Sequence, residues 1–191
     1  MLVRHVAGAA SAAAVLAVPF LAGTAAACPE PVKVHAEFAP PEALPEHDAV
    51  TYDEAGVPVG SRVTVIERVS GEGGTEVELR LKGVDPDRTY GAHVHRKPCG
   101  PLPADSGPHY QDRVDPVQPS TDPEYANPDN EIWLDLTTDT HGRGGSEAAV
   151  EWTFRTGEAR SVVIHEHATH TEPGHAGEAG ARLACVDVPF V

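Results

Sequence analysis

The chain has 191 residues, with 29 acidic side chains against 14 Lys plus Arg and a formal net charge of −15. That length suits one ordinary domain. The charge argues against nucleic acid as a partner, because its phosphates would be repelled. Residues 1–27 stand apart: Arg4 is a lone cation, an apolar run extends from about Ala10 to Leu21, and the segment closes on Ala25, Ala26 and Ala27. This is the pattern of an export signal peptide, and no other stretch is apolar enough to span a bilayer. Its removal takes away one Arg and no acid, leaving 13 Lys plus Arg against 29 acids and a formal charge of −16.

Export implies an extracytoplasmic location, secreted or in the cell envelope, where disulfides form and persist. Cys99 and Cys185 lie in the body of the chain and make a pair. Cys28 is left over, directly after the small-residue run. Its readings are a lipid-modified first residue, which would be the chain's one membrane contact, a free thiol, or a bond between two chains.

Residues 28–48 are rich in proline and acid and read as a lead-in or tether. From 49 to 191 the pattern is that of one β domain. In "TEVELRL" Val77, Leu79 and Leu81 share one face, and in "EIWLDL" Ile132, Leu134 and Leu136 do the same. "EAAVEWTF" aligns Ala148, Val150, Trp152 and Phe154. Further strands are expected over Ala49–Tyr52, Val59–Val69, Arg88–His95, Ala159–His165 and Leu183–Val188. The turn signals "SGEGG", "GVDPD", "TDTHGRGG" and "RTGEA" separate them. About eight short strands without a helix define an all-β sandwich or barrel. From Arg96 to Asp129 the periodicity stops, and a loop of that length inside a small domain is usually functional.

In "TYGAHVHRKPCG", His93 and His95 occupy positions i and i+2 of a strand and so face the same side. His109 follows in "SGPHYQ" and His165 ends "SVVIHE". The closing "GEAGARLAC" brings Arg182 and Cys185. Imidazoles of this kind suit copper(II), although four histidines also satisfy zinc.

With "GAHVH", "SGPHYQ", "VVIHE" and "AGARLAC" in this order, the chain from about Ala49 to Val188 resembles the copper–zinc superoxide dismutases. The resemblance implies an eight-stranded antiparallel Greek-key β-barrel with a long metal-site loop. It implies that His93, His95, His109 and His165 are ligands of one copper per chain, and that Arg182 guides the superoxide anion, the substrate. Cys99 and Cys185 match the family's intrasubunit disulfide, a staple on the loop that delivers His109. The implied reaction disproportionates superoxide to dioxygen and hydrogen peroxide.

The departure from the family is as informative. His109 would ordinarily bridge copper to zinc, with two more histidines and an aspartate following. From Tyr110 to Asn130 the chain has no histidine, and Asp129 alone does not make a zinc site. The segment between His165 and Arg182 also looks short. Both features resemble the copper-only branch, so a zinc site is expected to be absent. His109 then needs another acceptor for its second nitrogen; Asp112, Asp115 and Glu131 are candidates, with Glu166 a further one. His167, His170 and His175 read either as solvated loop residues or as a secondary copper-loading site. Trp133 and Asp135, on the outer face of their strand, are candidates for a subunit contact in a homodimer. The rival functional reading is a copper buffer or delivery protein of the cell envelope without turnover; a weaker one is a structural domain that has lost the metal.

Overall fold

The computed structural model describes residues 1–3, 29–44, 46–71 and 73–191. The expected export signal falls outside them from Arg4 on, as does Cys28. Ten strands form among the described residues: β1 (Val32–Glu37), β2 (Ala49–Thr51), β3 (Arg62–Val69), β4 (Thr75–Lys82), β5 (Thr89–Tyr90), β6 (Ala92–His95), β7 (Leu136–Thr137), β8 (Arg143–Val150), β9 (Ser161–His165) and β10 (Arg182–Asp187). Helical structure among the described residues is confined to two 3-10 turns, Pro41–Ala43 and Pro103–Ser106.

Period-two alternation builds the first sheet, of order β1-β3-β4-β8. Val63, Val65 and Glu67 of β3 face inward, opposite Leu81, Leu79 and Val77 of β4. On the outer face Arg68 reaches Glu76 at 2.5 Å and Glu78 at 3.3 Å. The second sheet has the order β2-β10-β9-β6. The two sheets close on one core that includes Leu79, Val94, Ile164 and Val186. Their eight antiparallel strands, with non-consecutive neighbours such as β4 beside β8, are those of the expected Greek-key barrel. The short β5–β7 pair is added to them.

Two expectations are corrected. Residues 28–48 are not merely a tether, because Val32–Glu37 pairs with β3 along its whole length, from Val32↔Glu67 to Glu37↔Arg62. Val32, Val34 and Ala36 pack against the core while Lys33, His35 and Glu37 stay exposed. Pro31 and Pro40 bound this strand rather than dissolve it, and the barrel therefore begins before Ala49. The strand expected over 147–154 instead runs from Arg143 to Val150. Gly144 and Gly145 read as turn residues, but Gly144 is there for space: a Cβ on it would lie 2.7 Å from Leu136 Cδ1.

Strands β6, β9 and β10 carry the site because they are buried on both faces. Ala92, Val94, Val162, Ile164, Ala184 and Val186 enter the barrel core. His93, His95, Val163, His165 and Cys185 alternate with them and face outward, under the long loop. Two segments, one around Tyr110 within that loop and one around Leu134 just after it, lie along the free edge of β6. Tyr110 N–H donates to Val94 O (2.8 Å) and Leu134 N–H to Ala92 O (2.7 Å). Ile132, Leu134 and Leu136 are buried as their alternation predicts, although the pairing there reduces to a His93–Trp133 bridge and the two residues of β7. Cys99 and Cys185 are joined, with their Cα atoms 5.7 Å apart.

Candidate metal centre

His93 and His95 leave β6 on one face, and His165 leaves the adjacent β9 on the same face, since His93 stands opposite Val163. His109 arrives from the loop by pairing with His95 as an isolated bridge. The fold brings together the four histidines singled out in the sequence: one nitrogen from each lies within 4.8 Å of the others. His93, His95 and His165 are buried and His109 is partly so.

The hydrogen bonds decide which nitrogen of each ring faces the centre. His95 Nδ1–H donates to Gly107 O at 2.9 Å, leaving Nε2 as a bare lone pair. His109 Nδ1–H donates to Glu131 Oε2 at 2.8 Å, which frees its Nε2 in the same way. His165 Nδ1 has a longer contact, 3.5 Å, with Gly180 O. His93 is turned the other way. The Thr169 hydroxyl donates to Asp135 Oδ1 at 2.6 Å, so its oxygen accepts from His93 Nε2–H at 2.7 Å. His93 Nδ1 is then the free acceptor, and it is buried with no hydrogen-bond partner.

Burial first, and the neighbouring histidines second, hold His93 and His95 far below the usual imidazole range. The same causes bring His165 down to about 3. These rings are neutral near pH 7 and present lone pairs, and the Nε2 atoms of His95 and His165 stand only 3.4 Å apart. At that separation the two nitrogens either share a proton in a hydrogen bond or turn both lone pairs to one cation. An orphaned buried Nδ1 and converging neutral imidazoles fit a metal ion, and their donor type suits copper.

Of the carboxylates proposed for His109, Glu131 is the partner. It is 1% exposed. Its Oε1 accepts from Gln111 Nε2 (2.8 Å) and its Oε2 also accepts from Trp133 Nε1 (2.7 Å). Asp115 is buried but holds the loop itself, accepting from Val117 N–H and Ser120 Oγ. Asp112 lies near Arg155, and Glu166 accepts from Ala181 N–H. Trp133 and Asp135, which the sequence suggested for a subunit contact, each bond within the chain: one braces Glu131, the other Thr169. Gln111 and Thr169 were not found from sequence, since neither residue type signals a metal site until the fold brings it beside an imidazole.

Arg182 begins β10 and pairs with His165 in the ladder. Its guanidinium is held by Pro103 O (3.1 Å) and Ser106 Oγ (2.9 Å). It lines one cavity with His109, His165, His167, His170 and Glu178. The disulfide, the four histidines and this arginine are therefore all on the same outer face of one sheet.

The comparisons with known proteins agree with this geometry. The family model for copper/zinc superoxide dismutase (SODC) matches residues 59–188. The chain belongs to the copper/zinc superoxide dismutase family. Among solved structures, a double mutant of an SOD-like protein from Bacillus subtilis is similar in fold, with TM-score 0.52 and 15% identity over 82% of this chain and 97% of that one. The clock protein EA4 is similar as well, with TM-score 0.53 and 18% identity over 84% and 96%. Among curated proteins none matches the chain.

Proposed function

We propose that the protein is an exported, copper-only superoxide dismutase. The observation that carries this reading is the set of four imidazole nitrogens within 4.8 Å of one another, two of whose rings, His109 and His165, line one cavity with Arg182. Bound copper would supply the one-electron chemistry by which two superoxide anions and two protons become dioxygen and hydrogen peroxide. The protein's own part is different. Arg182 offers a fixed positive charge to an entering anion, and Pro103 and Ser106 keep it from folding away. Glu131 holds the Nδ1 proton of His109, in the place where a second metal would otherwise bind that nitrogen. Thr169 and Asp135 hold the Nε2 proton of His93.

Two features support the copper-only assignment: no histidine follows His109 before Asn130, and Glu131 occupies His109 Nδ1. The Cys99–Cys185 bond supports export, because such bonds persist in oxidising compartments.

A second reading is a copper-binding protein without turnover. The extra histidines on the cavity rim, His167 and His170, favour it. Arg182 opposes it, since storage needs no cation aimed at an anion. Metal analysis with a dismutase assay on protein refolded with copper alone separates the two readings. The expected outcome is one tight copper per chain and activity that added zinc does not raise. Stoichiometric zinc beside full copper would refute the copper-only assignment, and full copper without activity would favour the buffer.

A further inference from the structure

His167, His170 and His175 follow the last ligand histidine, and the metal centre uses none of them. From sequence their Thr, Pro and Gly neighbours impose no geometry. The fold imposes one. His167 N–H donates to Ala179 O (3.1 Å), His170 N–H to Glu178 O (2.8 Å), and Gly177 N–H returns to His170 O (2.9 Å). The segment also packs tightly on the start of β6, where a Cβ on Gly91 would meet His167 O at 2.7 Å. The three histidines thus stand on a folded-back strap, with their backbones fixed and their side chains exposed.

Successive rings of the strap lie as close to each other as neighbouring rings of the centre do, with His170 between the other two. The four histidines of the centre have ring centroids between 4.1 and 6.5 Å apart. His167 and His170 are 5.1 Å apart and His170 and His175 are 6.4 Å apart, within that range. Each Nδ1 stands against an oxygen: Ala168 O at 2.9 Å for His167, Glu172 at 3.6 Å for His170, and Glu178 at 2.8 Å for His175. For His167 and His175 the acceptor holds the proton on Nδ1 and leaves the Nε2 lone pair free for a ligand, as at established metal sites. Glu172 and Glu178 add negative charge beside the rings. His167 and His170 line the same cavity as His109 and His165, so the strap forms the rim of the entrance to the centre.

From this we infer that His167, His170 and His175 form a second, weaker copper site, through which copper passes to the four-histidine centre. The inference rests on the reading of that centre as a copper site. Imidazole donors place copper(II) above the other first-row divalent ions. The Nε2 atoms of the strap do not yet converge as those of the centre do, and three exposed side chains must be immobilised to close on an ion. That ordering cost makes the rim site about 100-fold weaker than the centre. Weaker binding suits a station from which the ion moves on.

The test is a titration of the purified full chain with copper(II) buffered by glycine, followed by electron paramagnetic resonance. The wild type is expected to show one tight and one weaker equivalent. Replacing all three rim residues (His167→Ala, His170→Ala, His175→Ala) should keep the tight equivalent and remove the weaker one. His95→Ala should do the reverse. His5, His35, His47 and His141 remain in every variant of the full chain, so adventitious binding by them is common to all. In stopped-flow loading with limiting copper, the rim variant should fill the tight site at least about fivefold more slowly, because capture then relies on the buried centre alone. A weaker equivalent that survives the triple replacement, or loading that is equally fast without the three rings, overturns the inference. Absence of the tight equivalent from the wild type would instead refute the reading of the four-histidine centre, and the same titration would show the two failures separately.

Discussion

At the scale of single residues, the chemistry depends on who holds the far nitrogen of each imidazole. Glu131 does this for His109 and is itself fixed by Gln111 and Trp133, so its two oxygens accept three donors. Replacing it as Glu131→Gln keeps the shape, removes the charge and puts an amide against three N–H groups. At least one of those contacts then becomes donor against donor, which costs a buried hydrogen bond. Copper affinity is expected to fall about 10- to 100-fold, the usual cost of losing an outer-shell partner, while the far-ultraviolet spectrum of the barrel stays unchanged. Competition with a chelator of known affinity measures it. Wild-type affinity in this variant would remove Glu131 from the site. His93 and His95 were legible as a pair because alternate strand positions share a face, whereas His109 and His165 joined them only through the resemblance of "SGPHYQ" and "VVIHE" to the family. Glu131 was one of several acids with equal standing, because its separation from His109 in sequence says nothing about which loop ends share the edge of β6. Thr169 and Asp135 were hidden for the same reason, as their role needs the strap folded back onto β6.

At the scale of elements, alternation made most of both sheets legible, since one face of each strand must be apolar. It failed where apolar pattern and hydrogen bonding part company. Ile132, Leu134 and Leu136 are buried without a continuous ladder. The β1 strand was obscured by its flanking prolines. Glu67 is a different exception: alternation turns a carboxyl into the barrel. It is fully buried, with Oε2 accepting from Val191 N–H at 3.0 Å and Oε1 without a partner. Thr75, two residues from the position paired with Glu67, leaves its hydroxyl unpartnered at the same end of β4. Burial pushes the Glu67 carboxyl up from 4.5 to about 7, against the lowering effect of the Val191 N–H. The folded state therefore binds this proton more tightly than the unfolded chain does. Its contribution to stability is complete below about pH 4.5 and is lost as pH rises through about 7. Glu67→Gln has no such proton to lose. The variant is expected to melt above the wild type at pH 8, with the gap shrinking as pH falls towards 4.5. Calorimetric melting points across that range check it, and a gap independent of pH would mean that Glu67 does not titrate there.

For the whole molecule, the question is whether total charge or one local cation governs capture of an anion. A formal charge of −15 repels superoxide at long range. Arg182 attracts it at the cavity wall, where Glu178 is an opposing neighbour. At about 0.15 M salt the screening length is roughly 8 Å, so charges spread over the rest of the surface are muted far more than a guanidinium at the point of encounter. If the distant acids governed, raising the salt would relieve repulsion and activity would rise. If Arg182 governs, raising the salt weakens attraction and activity falls. The arginine is nearest the histidines and is fixed by Pro103 and Ser106, so a shallow fall in kcat/KM with ionic strength is expected. Arg182→Glu removes the attraction and adds a repulsion at the same spot. It should lower the rate about 10-fold or more, a change within the range of electrostatic steering, and turn the fall with salt into a rise. The copper spectrum should stay almost unaltered, since Arg182 donates no ligand atom. Pulse-radiolysis rates measured for both chains across a salt series read the two signs directly. Full activity in the variant, with the salt dependence unchanged, would take Arg182 out of the mechanism and move the weight to copper binding without turnover.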